Sequence, residues 1–326
     1  MVRLSENNLR VPSMKVLLAG GAGFIGSHLC EKLLEMGNEV ICVDDLSSGL
    51  EENLSVAKTN DNFRFIKGDI TELVEVNEKL DVVMNLASPA SPKDYINYPI
   101  KTLEVGSIGT KRLLDLAYKN NAVFLLTSTS EVYGDPLEHP QTEDYWGNVN
   151  PIGPRSVYDE AKRFAEALTF SYYRETGLQI RVARIFNTYG PRIRPSDGRV
   201  VSNFIAQAIC DSDLTIYGDG TQTRSLCYID DQVAGLIKLA FSDCVGPVNI
   251  GNPQEISIAD LAHTIIRLVG SKSQLIYEPL PIDDPVRRCP DISRAMLHIG
   301  WSPTVSLEVG LGSTIDWMRA KLQRDS

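Results

Sequence analysis

Between residues 14 and 190 the apolar and polar positions fall into two alternating rhythms. The short apolar runs KVLLA (Lys15–Ala19), EVICV (Glu39–Val43), FRFIKGDI (Phe63–Ile70), DVVMNLA (Asp81–Ala87), AVFLLTSTS (Ala122–Ser130) and QIRVARI (Gln179–Ile185) predict strands. DVVMNLA is apolar at nearly every position, as expected of a strand covered on both faces. Between these runs, SHLCEKLLEMG, the stretch from Ile100 to Lys119 and the stretch from Tyr158 to Glu175 carry the spacing of helices. Strand and helix in alternation predict an α/β fold built on a doubly wound parallel sheet.

Beyond residue 190 the alternation loosens. Helices are expected over Val200–Cys210, from about Asp230 to Ser242, over Ser257–Val269 and twice near the C-terminus, with one short strand, LTIYG, among them. The division predicted is an arm over residues 1–13, a nucleotide-binding domain over 14–190 and a smaller α/β domain, mainly for substrate, over 191–326.

Two local patterns give the first strands a chemistry. KVLLA runs into Gly20-Gly21-Ala22-Gly23-Phe24-Ile25-Gly26 and then a helix, so glycines let the backbone close on a pyrophosphate that the helix start can bind. A glycine turn serving only tight packing would look the same. The second strand, however, ends at Asp44, about 20 residues downstream, where a carboxylate accepts from ribose hydroxyls and repels a 2′-phosphate. NAD is therefore the expected cofactor, in preference to NADP. Strand ends in such sheets face the ligand, which puts Asp69 and Ile70 at the adenine edge and Leu86 and Ala87 on the nicotinamide half.

The catalytic candidates lie further on. Tyr158 and Lys162 are spaced to share one face of a helix, where an ammonium beside a phenol favours phenolate. Alone, such a pair is as well read as a solvated helix face. The strand end Thr127-Ser128-Thr129-Ser130-Glu131 adds hydroxyls and a carboxylate that one substrate could share with Tyr158. Among loop arginines, Arg192, Arg199, Arg224 and Arg288 are candidates for a diphosphate, whose geometry guanidinium matches.

Composition narrows the classes. With 326 residues, 43% of them hydrophobic, the chain can bury a full core. A net charge of −10 without a basic run argues against nucleic-acid and membrane partners. The six cysteines form no C-x-x-C pair and read as buried free thiols of a reducing, cytoplasmic setting, while the four histidines show no metal-ligand spacing, so no metal is expected. Neither a signal peptide nor a run of ~18 uncharged apolar residues is found.

Taken together, the glycine turn, Asp44, the Ser/Thr-rich strand end and Tyr158-x-x-x-Lys162 resemble the extended short-chain dehydrogenase/reductase family, Rossmann-fold enzymes that use NAD on nucleotide sugars. More narrowly, STSEVYGDP (Ser128–Pro136), DYWGNVNPIGPRSVYDEAKR (Asp144–Arg163), ARIFNTYGPR (Ala183–Arg192), DGRVVSNFI (Asp197–Ile205) and DDPVRRCPD (Asp283–Asp291) are similar to the UDP-glucuronate decarboxylases of that family. The resemblance implies that Tyr158, acidified by Lys162 and the nicotinamide, takes the proton of the sugar 4-hydroxyl while a hydride passes to NAD. The 4-ketone then allows CO2 to leave and is reduced again, giving UDP-xylose.

The same resemblance assigns Thr129 to the 4-oxygen and Ser130 and Glu131 to the ring and its carboxylate. Arg288 becomes an active-site arginine, Arg224 a diphosphate ligand, and Thr215 to Tyr217 the uridine side; Asn187, Arg199 and Val200 join them as substrate contacts. Gly20, Gly23, Phe24, Ile25 and Gly26 are assigned to the cofactor. Sugar 4,6-dehydratases carry an Asp-Glu pair where this chain has Ser130-Glu131, and 4-epimerisation of UDP-glucuronate stands as the alternative. One departure falls in Leu103–Ser107, where Glu104 replaces a lysine common in decarboxylases. The family also implies a homodimer, formed by the helices Ile100–Lys119 and Tyr158–Glu175.

Overall fold

The structure is a computed structural model that describes residues 13–72, 76–153, 155–279 and 287–325. Most of the expected arm and the residues Asp283 to Val286 of the DDPVRRCPD motif lie outside the described residues.

Six expected strands form as β1 (Lys15–Ala19), β2 (Glu39–Asp44), β3 (Phe63–Lys67), β4 (Val82–Asn85), β5 (Val123–Thr129) and β6 (Ile180–Ile185). They build a parallel sheet whose seventh, edge strand is Val248–Ile250, beside β6; from that edge the order is β6, β5, β4, β1, β2, β3. The chain runs outward from β1 through β3, then returns to β4 on the other side of β1. That reversal opens a crevice at the carboxyl ends of β1 and β4, where ligands bind in sheets of this kind.

Both faces of the sheet are covered, which explains the apolar runs. Val16 and Leu18 of β1 pack into one cluster with Leu29 and Leu33 of helix α1 (Phe24–Glu35), while Leu17 and Ala19 belong to the opposite cluster with Leu113 and Leu114. At ~25 cal/mol per Å² of buried apolar surface, these two layers are the main stabilising term.

The helix expected over Ile100–Lys119 is less regular than its pattern suggests. After a short α2 (Pro92–Asn97), α3 (Pro99–Glu104) passes through a wide π-helical turn at Val105–Gly109 into α4 (Thr110–Asn120). The two glycines of this turn sit where neighbours press close: a Cβ on Gly106 would lie 2.7 Å from the Ala161 Cβ, and one on Gly109 2.6 Å from Ile70 Cδ1. The helix widens there to pass α5 (Ser156–Thr176), which carries Tyr158 and Lys162.

Beyond residue 190 the chain holds α6 (Val200–Ile209), α7 (Ile229–Ala240), α8 (Ile258–Val269), α9 (Ser293–Ile299) and α10 (Leu307–Asp325). Short strand pairs accompany them, LTIY (Leu214–Tyr217) lying parallel to Leu275–Glu278. This half does not stay apart from the sheet: Val248–Ile250 joins it, and α7 packs on α1. All six cysteines are free, but Cys210 is exposed and Cys244 half-buried, so the expectation of buried thiols holds for only four. No helix among the described residues is long and apolar enough to cross a membrane.

Candidate active site

A cavity of about 190 Å³ opens at the crevice between β1 and β4. It brings together residues far apart in sequence: Gly20, Gly23, Phe24, Ile25, Gly26 and Leu86 on one side, and Thr129, Ser130, Glu131, Tyr158, Lys162, Asn187 and Arg199 on the other. An adjoining cavity of about 80 Å³ is lined by Asp44, Asp69, Ile70, Leu86 and Ala87 and shares Gly20 with the first.

The glycine turn is shaped by close approach. Gly20 has φ +81°, and a Cβ there would sit 2.7 Å from the backbone of Leu86 and Ala87, while one on Gly26 would lie 2.1 Å from the Gly20 carbonyl. Its helix begins at Gly23 with no side-chain cap, so its first N–H groups face the cavity ready for an anion. Asp44 braces the turn by accepting from Ala22 N and Leu46 N, each at 2.9 Å, and burial pushes its carboxyl up. Asp69 is not free: it pairs with Lys101, which also lies 3.7 Å from Asp45. One lysine thus tempers the carboxylates of the second cavity.

Tyr158 and Lys162 are delivered by one face of α5, but their balance differs from the expectation. Burial pushes the Tyr158 phenol up to about 12, opposed by the Arg199 charge and a hydrogen bond with Thr129. Burial likewise lowers the Lys162 ammonium to about 8; its Nζ donates to the Thr127 carbonyl at 2.9 Å and lies 5.8 Å from the Tyr158 ring centre. In the protein alone the phenol is therefore a weaker acid than free tyrosine, because desolvation of the phenolate outweighs the nearby charges. Tyr95 stacks on the Tyr158 ring at 5.3 Å and fixes its plane.

Glu131 is gripped by arginines. Arg288 reaches both of its carboxylate oxygens, with Nη2 2.6 Å from Oε2, and Arg155 Nη2 donates to Oε2 at 2.9 Å. Arg288 owes its place to backbone pairing: Gln141 N donates to the Cys289 carbonyl and Asp291 N to the Gln141 carbonyl, both at 2.9 Å. Burial lowers the Arg288 guanidinium to about 10. Behind this segment His139 Nε2 lies at hydrogen-bond distance, 3.0 Å, from Glu255 Oε2 near the Cys289 thiol, which donates to Pro253 O.

Other expectations fare unevenly. Val200 opens α6 without lining either cavity, and Thr215, Tyr217 and Arg224 also line neither; Thr215 instead accepts from Gln207 at 3.2 Å. Arg192 lines the main cavity but is paired to Glu31 at 2.7 Å. Glu104 is exposed on α3 and lines neither cavity, so its departure from lysine leaves the described site untouched. Sequence reasoning missed Arg155, Arg194 and Tyr95. Arg155 carried a usable signal, standing three residues before Tyr158 and hence on its face of the helix; Arg194, paired to Asp94, carried none.

The family model for the NAD dependent epimerase/dehydratase family matches residues 16–251. The chain belongs to that family. Within it, UDP-glucuronic acid decarboxylase 3 of Arabidopsis thaliana is 52% identical over 303 residues, covering 92% of this chain and 87% of that protein. UDP-glucuronic acid decarboxylase 1 of Xenopus tropicalis is 49% identical over 312 residues, 96% of this chain and 74% of that one. Among solved structures, the UDP-glucuronic acid 4-epimerase of Bacillus cereus, in complex with UDP-glucuronic acid and NAD, superposes with a TM-score of 0.83 at 31% identity over 95% of this chain and all of that one. As in its family, NAD is the cofactor. The close-packed glycine turn, the uncapped helix start and Asp44 fit its pyrophosphate and ribose.

Proposed function

We propose that the protein decarboxylates UDP-glucuronate to UDP-xylose through a 4-keto sugar. The observation that carries this reading is the Glu131–Arg288 pair: Glu131 lines the main cavity with Thr129 and Tyr158, and Arg288, which lines neither of the two cavities described above, grips it from behind. An arginine suited to a sugar carboxylate, close to hydroxyls suited to the 4-oxygen, supports this reading, as do relatives at about 50% identity that bear the same activity in their names.

NAD, held by the glycine turn, Asp44 and Lys162, supplies oxidation of C4 and its later reversal. Tyr158 takes the 4-hydroxyl proton while Thr129 holds the oxygen. The resulting ketone is β to the carboxylate, so the C5–carboxyl bond breaks with its electron pair delocalised onto the 4-oxygen. Tyr158 and Thr129 then stabilise that oxygen by hydrogen bonds. Arg288 orients the departing carboxylate, and a proton adds at C5 before the ketone is reduced. Ser130, buried where dehydratases have an acid, offers no proton for loss of a hydroxyl.

The test is to supply UDP-glucuronate labelled at the carboxyl carbon together with NAD. One labelled CO2 per sugar consumed is expected; consumption without CO2 would overturn the reading.

A homodimer is part of the same reading. Ile100 and Leu103 of α3, Ile108 and Tyr118 beyond them, and Phe164 of α5 are large apolar side chains left exposed on helices that pack side by side. Paired with a second copy, these helices would form a four-helix contact. Phe164→Glu is expected to give a monomer by sedimentation, and a wild-type monomer would refute the dimer. The free thiols support a cytoplasmic setting.

A further inference from the structure

Glu131 has more positive partners than one buried carboxylate needs. Its Oε2 accepts from Arg288 Nη2 at 2.6 Å and from Arg155 Nη2 at 2.9 Å, while Oε1 is taken by Arg288 as well. The side chains of Glu131, Arg288 and Arg155 keep 13, 6 and 21% of their surface exposed, so the cluster is largely out of water. Arg155 stands at the start of α5 with Tyr158 one turn on. Together with buried Asp159, Arg155 and Arg288 line an opening of about 290 Å³, while Glu131 lines the main cavity on its other side.

A sugar carboxylate entering this site brings a second anion towards Glu131. Both remain ionised in a desolvated site when each faces a guanidinium, which the cluster allows if one arginine turns from Glu131 to the newcomer. Were Arg288 the sole partner of Glu131, that turn would strand a buried carboxylate, and stranding one member of a buried pair carries a heavy penalty. The two arginines differ in a way that assigns their tasks. Arg288 is the more buried and spans both oxygens, while Arg155 donates to Oε2 and is fixed at its base by a helix end.

We propose that Arg155 is a positioning residue: it keeps Glu131 paired and in place while Arg288 transfers to the carboxylate of the bound sugar nucleotide. The assignment rests on UDP-glucuronate being the substrate. It makes Arg155 a determinant of selectivity for acidic over neutral sugars, acting through Glu131 and without touching the sugar.

The test compares UDP-glucuronate with UDP-xylose, which lacks the carboxylate, by calorimetry on the NAD-loaded wild type and on Arg155→Met, Arg155→Lys, Glu131→Gln and the Arg155→Met/Glu131→Gln pair. In Arg155→Met the Kd for UDP-glucuronate should weaken tenfold or more and that for UDP-xylose less than twofold, which also certifies the fold. Steady-state KM should rise by more than kcat falls. Arg155→Lys should recover most of the loss, and in the Glu131→Gln background Arg155→Met should add less than twofold. Equal weakening for both sugars, no change for either, or a full Arg155→Met effect without the Glu131 charge would each overturn the proposal. A wild type that does not prefer UDP-glucuronate would refute the substrate reading and the hand-over with it, whereas a selective wild type with an indifferent Arg155→Met variant would refute the hand-over alone.

Discussion

Replacing Lys162 with methionine removes the ammonium beside the proposed base without greatly changing side-chain volume. The phenol it serves is held near 12 by burial, so close to pH 7 only roughly one Tyr158 in 10⁵ is ionised in the protein alone. The Lys162 Nζ lies 5.8 Å from the ring centre. At an effective dielectric of about 20 that separation gives ~3 kcal/mol of attraction for a phenolate, or ~100-fold in its population. Lys162→Met should therefore slow oxidation of the sugar by ~100-fold near pH 7.

The sign of the pH dependence follows from the lowered value of the lysine, about 8. Below it the wild type has the charge; as pH rises through it the amine turns neutral and the advantage fades. The assay is single-turnover growth of the reduced-nicotinamide absorbance, followed from about pH 6 to about pH 10. A deficit under tenfold near pH 7, or one that stays constant as pH rises, would refute the idea that the charge of Lys162 activates Tyr158.

Three further substitutions probe separate parts of the site. Glu131→Ala strands the buried Arg288 and should lower unfolding stability by about 3–5 kcal/mol in a denaturant titration, besides abolishing CO2 release. Gly20→Ala forces a Cβ to within 2.7 Å of the Leu86–Ala87 backbone at a positive φ, and should abolish NAD binding in calorimetry. Glu104→Lys alters an exposed side chain that lines neither cavity and should leave kcat/KM within about twofold; a larger change would mean that α3 reaches the site in another state.

The parts of this fold that the chain announces are those set by short-range pattern. β1, β2, β4, β5 and β6 are buried along most of their length, so their apolar runs mark them, while β3 at the sheet edge is only half-buried; the glycine turn and the Tyr158–Lys162 spacing are likewise local. What escaped reading is long-range. Val248–Ile250 is a three-residue strand that gains its place only by pairing with β6, more than sixty residues earlier. Arg288 and Glu131, 157 residues apart, meet because Gln141 holds the segment that carries the arginine, and no periodicity records that. The elevated phenol of Tyr158 is a burial effect that spacing alone cannot supply. Glu104 falls on the outward side of α3, which its neighbours in sequence do not reveal.

The central claim is that the Glu131–Arg288 pair and Tyr158 act on one sugar, whose carboxylate is lost and replaced by a solvent proton. Running the reaction in deuterated water with UDP-glucuronate and NAD, and following the products by NMR, tests it directly. The account predicts UDP-xylose with a single deuterium at C5, whereas UDP-galacturonate with its carboxyl intact would contradict it.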